Sequence, residues 1–128
     1  MLHIQNDDGA MIDACDLIPS RIKLPDEWSD YFSRSGPLKT KYNDERRFHR
    51  TFVRGKAIIR RDGELHTVYT KDVSRMGLGM IHSEQLFPCE RIQIWLPNRL
   101  SYWLRIARCV RIKQLCYECG ATFLYQEG

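Results

Sequence analysis

The sequence predicts a mainly β protein, a small antiparallel barrel of six strands with a short N-terminal helical extension. Three observations lead there. In the second half of the chain, apolar residues alternate with polar ones in short runs, the two-residue period of strands buried on one face. Turn residues separate those runs at regular intervals, as at Asp62-Gly63 and Pro97-Asn98. Six short antiparallel strands leave two open edges, and closing them into a barrel removes both. The 128 residues suffice for one domain with its own core and a short appendage. The reading divides them into an extension, 1–44, and a barrel, 45–128.

Residues 1–20 show no clear period and read as irregular. Leu24 to Pro37 reads as a short helix. Asp26 is placed to cap it, Glu27 and Asp30 favour its positive N-terminal end, and Arg34 suits the other end. Trp28, Tyr31 and Phe32 fall at i, i+3 and i+4 and make an aromatic face, suited either to packing on the barrel or to a partner. Gly36-Pro37 ends the helix, and residues 38–45 read as a linker.

The first strand is expected from Phe52 to Arg61, with Val53, Ala57 and Ile59 on one face and Arg54, Lys56 and Arg60 on the other. The return strand runs from Leu65 to Lys71. A third starts at Gly77-Leu78-Gly79-Met80-Ile81, where the glycines point to a bulge or a close approach of backbone to ligand. The fourth covers Arg91 to Leu96, with Ile92, Ile94 and Leu96 facing one way. The fifth runs from Tyr102 to about Ile112 and keeps phase through Leu104 and Ile106. Its phase slips at Ala107-Arg108, which predicts a bulge. Cys119 to Tyr125 makes the last strand.

Hydrophobic content of 43% and charged content of 28% are ordinary for a soluble globular protein. Charge is unevenly spread. Residues 1–45 hold five Lys/Arg against nine Asp/Glu, a balance of −4, whereas residues 46–128 hold fifteen against seven, a balance of +8. An acidic front on a basic body implies mutual docking or an anionic partner for the body. No apolar run is long enough to span a bilayer, and the N-terminus lacks a signal pattern. The five cysteines are odd in number and fit buried thiols in a reducing compartment. A cytoplasmic protein is the expectation.

The positive charge is concentrated from Arg46 to Arg61, sixteen residues with seven Lys or Arg and no acid. Within it, Arg46-Arg47-Phe48-His49-Arg50 places arginines at i and i+4 with a third beside the first. A guanidinium fork matches a phosphate, or the O6/N7 edge of guanine, through two parallel hydrogen bonds. One hairpin later, Asp72-Val73-Ser74-Arg75-Met76-Gly77 supplies a carboxylate, a hydroxyl and a glycine at i, i+2 and i+5. These suit a phosphorylated, guanine-like ligand.

The two motifs, in this order and at this separation, resemble those of the PilZ domain, the bacterial receptor for cyclic di-GMP. That family carries Arg-x-x-x-Arg before its first strand and (Asp/Asn)-x-Ser-x-x-Gly after its second. Arg46 and Arg50 match the first, and Asp72, Ser74 and Gly77 match the second. The resemblance covers about residues 45–125 and implies a six-stranded antiparallel PilZ-type β-barrel. It also implies a non-enzymatic, cyclic di-GMP-binding receptor that changes the conformation of its arginine arm to signal to a protein partner of unknown identity. By the same resemblance Arg46 and Arg50 would clamp phosphates and stack on guanine, with Arg47 assisting. Asp72 would accept from guanine N–H groups, Ser74 would donate, and Gly77 would allow a conformation that a side chain forbids. Gly120 falls where the family places a glycine opening the last strand.

The alternatives are a PilZ-like barrel serving as a protein adaptor without nucleotide, and a small basic barrel binding single-stranded nucleic acid. The intact motifs argue against the first. Nucleic acid is disfavoured as a partner because aromatics do not line the basic face. The bland readings are a solvated basic arm at 46–50 and a simple turn at 72–77. Cys116-Tyr117-Glu118-Cys119 resembles one zinc knuckle but lacks a second pair. His3, His49, His66 and His82 show no metal-ligand spacing, and no residues are arranged for catalysis. No metal and no cofactor are therefore expected besides the cyclic di-GMP ligand.

Overall fold

In the computed structural model, which describes residues 18–33, 36–37, 51–96 and 100–124, eight strands form one antiparallel sheet. They are β1 (Gly36–Pro37), β2 (Thr51–Phe52), β3 (Lys56–Arg61), β4 (Glu64–Val73), β5 (Gly77–His82), β6 (Arg91–Trp95), β7 (Ser101–Lys113) and β8 (Cys116–Phe123). The strand order is β1-β2-β4-β3-β6-β7-β8-β5, and β5 pairs back onto β4. Strands β3 to β8 thus close a six-stranded barrel, with β2 extending the β4 edge and β1 pairing with β2.

Period-two alternation fills the interior. Ala57 and Ile59 from β3, Val68 from β4, Leu78 and Met80 from β5, Ile92 and Ile94 from β6, and Leu104 and Ile106 from β7 belong to one buried cluster. Each Val, Ile, Leu or Met so buried contributes about 1.5–3 kcal/mol relative to exposure. Leu96 joins them, so the face predicted for Ile92, Ile94 and Leu96 is the core face.

Three expectations change in detail. The predicted first strand is broken. Thr51–Phe52 pairs near the end of β4, Lys56–Arg61 pairs further back, and residues 53–55 bridge the two. The Gly55 N–H donates to Thr70 Oγ1 at 3.0 Å and the Thr70 N–H to the Gly55 carbonyl at 2.9 Å, which accommodates one extra residue. Alternation therefore restarts at Lys56, and Val53 is exposed rather than sharing the face of Ala57 and Ile59. The last strand begins three residues earlier than predicted. Gln114-Leu115 makes a two-residue turn with Leu115 at φ 61°, a left-handed conformation that an apolar residue does not advertise. The Pro97-Asn98 turn and the end of the last strand at Tyr125 lie outside the described residues.

Among the described residues, the helix expected over Leu24 to Pro37 is two single 3-10 turns, Asp26–Trp28 and Tyr31–Ser33. Asp26 lies inside the first turn, with Pro25 at the cap position and no side-chain cap bond. Tertiary contacts outweigh the weak nucleation of so short a helix. Tyr31 is buried against Ile81 and Cys116, and its hydroxyl donates to the Thr70 carbonyl at 2.6 Å. The Lys23 N–H donates to the Leu115 carbonyl at 3.0 Å, and Thr67 Oγ1 to the Ile18 carbonyl at 2.9 Å. Residues 18–33 are thus strapped along the outer wall. Of the aromatic face, Tyr31 packs on the barrel while Phe32 stays 48% exposed. Among the described residues, no helix is long and apolar enough to cross a membrane.

Candidate functional site

Antiparallel pairing lays one row of residues side by side across five strands. Phe52 on β2 is opposite Asp72 on β4, Asp72 opposite Gly79 on β5, Gly79 opposite Gly120 on β8, and Gly120 opposite Arg108 on β7. The two glycines leave the middle of this row without side chains. A groove of about 420 Å³ results on the outer wall, and Phe52, Arg54, Lys71, Val110 and Glu118 complete its sides.

Two bulges aim the charged ends of the row. On β4, Thr70 faces inward opposite Met80, and strict alternation would send residue 72 inward as well. A register shift between Thr70 and Asp72 turns Asp72 outward instead. On β7, Leu104 and Ile106 face the core, and a shift between Ile106 and Arg108 turns Arg108 outward. This second bulge is the one predicted from the phase slip at Ala107-Arg108. Each adds one residue and so reverses the face that follows.

The glycines make room for these charges. An ideal Cβ on Gly79 would lie 2.9 Å from Asp72 Oδ1, and one on Gly120 would lie 3.3 Å from Arg108 Nε. The Asp72 carboxylate and the Arg108 guanidinium therefore lean over the bare backbone from opposite sides. Lys71 and Glu118 form an ion pair within the groove. The guanidinium of Arg54 lies between the rings of Tyr31 and Phe52, 4.3 and 4.6 Å from their centroids, and Nη1 donates to the Tyr31 carbonyl at 3.3 Å.

The other members of the Asp72 motif have different work. Ser74 Oγ accepts from the N–H groups of Met76 at 3.2 Å and Gly77 at 3.3 Å, while the Ser74 N–H donates to the Gly77 carbonyl at 2.9 Å. Ser74 thus builds the β4–β5 turn and keeps its hydroxyl hydrogen to donate. Gly77 is required for space rather than for an unusual backbone angle. An ideal Cβ there would fall 2.2 Å from the Ala121 carbonyl oxygen, and φ is not positive. Asp72 lines the groove, whereas Ser74 and Gly77 stand in the turn beyond it. Arg46, Arg47 and Arg50 lie outside the described residues.

Reasoning from sequence missed Arg108, Lys71 and Arg54 as groove residues. The phase slip at Ala107-Arg108 was the available signal for Arg108. The glycines at 77 and 79 point to a bulge or a close backbone approach, and Gly120 falls where the family places a glycine in the last strand. The knuckle-like Cys116 and Cys119 point to opposite faces, as residues three apart on a strand must. Cys119 meets Cys109 across the strands with the sulfurs 2.8 Å apart.

These strands and the polar groove over two glycines define a small closed β-barrel domain. The PilZ domain family model matches residues 44–125, and the chain belongs to that family. PilZ domains generally bind cyclic di-GMP and are receptor modules rather than enzymes. No curated protein matches the chain.

Proposed function

We propose that the chain is a cyclic di-GMP receptor that seats its ligand along the groove. The observation that carries this reading is the row Asp72, Gly79, Gly120 and Arg108: an acceptor and a cation facing each other over a floor without side chains. A flat purine can lie over the partly exposed Gly120, beside the buried Gly79. Asp72 then accepts from the guanine N–H edge, and Arg108 stacks on the base or pairs with phosphate. At about 420 Å³ the groove falls within the roughly 300–1,000 Å³ of small-molecule sites.

The arginine motif is tethered to this place. Arg50 is joined directly to Thr51, which pairs with Val73 beside the Ser74 turn. Arg46 and Arg50, assisted by Arg47, close over the dianionic ligand as a phosphate clamp, and Ser74 donates its hydroxyl hydrogen from the turn. Closing the arm alters the segment preceding it, which signals to a protein partner. Calorimetry with cyclic di-GMP, cyclic di-AMP and a short single-stranded oligonucleotide tests the assignment. Tight binding of cyclic di-GMP alone is expected. Preference for the oligonucleotide, or no binding of any of the three, overturns it.

A further inference from the structure

His66 on β4, His82 at the end of β5 and Glu84 just beyond it converge further along the same two strands, away from Asp72. One possible ligand atom from each lies within 4.8 Å of the others. The two imidazole rings meet edge to face with centroids 5.1 Å apart. His82 is 1% exposed, and neither of its ring nitrogens has a hydrogen-bond partner among the described residues. A buried imidazole left unpaired is costly, so the fold keeps this ring for something that repays the cost. A cavity of about 250 Å³ that includes all three residues gives access from solvent, and the Glu84 side chain is half exposed at its edge.

The charge around the cluster is suited to a cation. Glu64, Glu84 and Glu90 stand against the guanidinium of Arg61 and that of Arg21, which also lines the cavity, leaving one negative charge in excess. Arg61 is engaged chiefly by Glu90, at 2.5 and 3.3 Å, and touches Glu84 only at 3.5 Å, which leaves the Glu84 carboxylate able to turn towards the histidines. Glu64 lies 3.6 Å from His66 Nε2, too far for a hydrogen bond, and adds negative charge beside that ring.

We propose that His66, His82 and Glu84 form a binding site for a divalent transition-metal ion of the zinc class, with solvent completing the coordination. Two imidazoles and a carboxylate favour such an ion over calcium or magnesium, which take oxygen ligands. The site clamps β4 to the segment after β5 and is independent of the nucleotide groove.

The test uses untagged full-length protein stripped with a chelator, titrated with Zn²⁺ by calorimetry and with Co²⁺ by absorption. One Zn²⁺ per chain is expected with micromolar or tighter affinity, and the Co²⁺ spectrum is expected to lack a thiolate charge-transfer band. His66→Gln and Glu84→Gln change exposed or half-buried side chains, so both variants are expected to fold, as checked by circular dichroism. Each is expected to weaken Zn²⁺ by roughly tenfold or more. Absence of uptake, uptake unchanged in both variants, or a thiolate band abolished by Cys119→Ser would overturn the proposal. Zinc uptake is expected whether or not cyclic di-GMP binds, so the two readings fail separately.

Discussion

The carboxylate of Asp72 occupies the space that a side chain on Gly79 would need, with Oδ1 2.9 Å from an ideal Cβ at that position. Groove floor and groove acceptor are therefore one arrangement. Gly79→Ala should push Asp72 aside without disturbing the core, because the obstructing atom ends a side chain rather than belonging to backbone. Cyclic di-GMP affinity should fall about tenfold or more, the loss of one charge-assisted hydrogen bond of about 1.5–3 kcal/mol. Asp72→Ala should do the same and narrow the preference over cyclic di-AMP, since an acceptor placed for a guanine N–H rejects a base that lacks it. Calorimetry with both dinucleotides checks this, and unchanged affinities in both variants would contradict it.

Gly77 gives the opposite outcome. Its Cβ would meet the Ala121 carbonyl, backbone of the neighbouring strand β8, which cannot move without breaking the β5–β8 ladder. Gly77→Ala should destabilise the barrel by on the order of 1–3 kcal/mol, the cost of overpacking. A urea midpoint well below that of Gly79→Ala is the expected sign. Equal midpoints would show that β5 and β8 separate more easily than their pairing implies.

Much of this was legible in the sequence, for reasons particular residues make plain. Ile92, Ile94 and Leu96, or Leu104 and Ile106, declare their strands because one face is buried throughout. The slip after Ile106 declared a bulge, since alternation cannot otherwise send Leu104 inward and the charged Arg108 outward. The matching bulge at Thr70 and Asp72 stayed hidden because Thr70 is a polar residue facing the core, so no apolar phase marks it. Cross-strand sites were invisible for a related reason. Asp72 and Arg108 reach the glycine floor from opposite sides through register, and His66 lies beside His82 and Glu84 only in space. Their separations along the chain carry no pattern. The helix expected over Leu24 to Pro37 is two 3-10 turns among the described residues because Tyr31 is held by Thr70 on the barrel, a contact that local propensity cannot anticipate.

Arg46→Ala and Arg50→Ala should each weaken cyclic di-GMP binding by about tenfold to a hundredfold, a few kcal/mol for a lost guanidinium–phosphate contact. Thermal midpoints should stay at the wild-type value, because the barrel core is built by residues 57 and beyond. Wild-type affinity in both variants would remove the arginine motif from the site.

Tyr31 should matter for stability in a pH-dependent way. Tyr31→Phe removes the donor to the Thr70 carbonyl and should cost about 1 kcal/mol. Burial is the main influence raising the Tyr31 pKa above the usual phenol value of 10.0, with Asp72 adding to it and Arg54 opposing it. A raised pKa in the folded state leaves stability intact below the unfolded value and erodes it as pH rises above that value. The wild type should therefore lose stability above about pH 10 more steeply than Tyr31→Phe. Identical slopes in alkaline urea titrations would argue that the phenol ionises freely in the folded protein.

Arg54 links the groove to the N-terminal segment, and the last prediction follows from its position. Its guanidinium lines the groove while lying between Tyr31 and Phe52 and donating to the Tyr31 carbonyl. A dianion entering the groove competes for that charge. Drawing Arg54 towards phosphate loosens its hold on Tyr31, so ligand and segment bias one side chain between two partners. Such a device transmits a signal only if the ligand interacts differently with the two arrangements, as a phosphate near or far from Arg54 does. Hydrogen exchange on adding cyclic di-GMP should therefore show protection gained across 44–54 and exchange altered across 26–34. Arg54→Ala should retain binding, weakened by roughly tenfold for one lost charged contact, and should lose the change at 26–34. A response at 26–34 that survives Arg54→Ala would place the coupling elsewhere. No response in the wild type would leave the groove a binding site without this route to a partner.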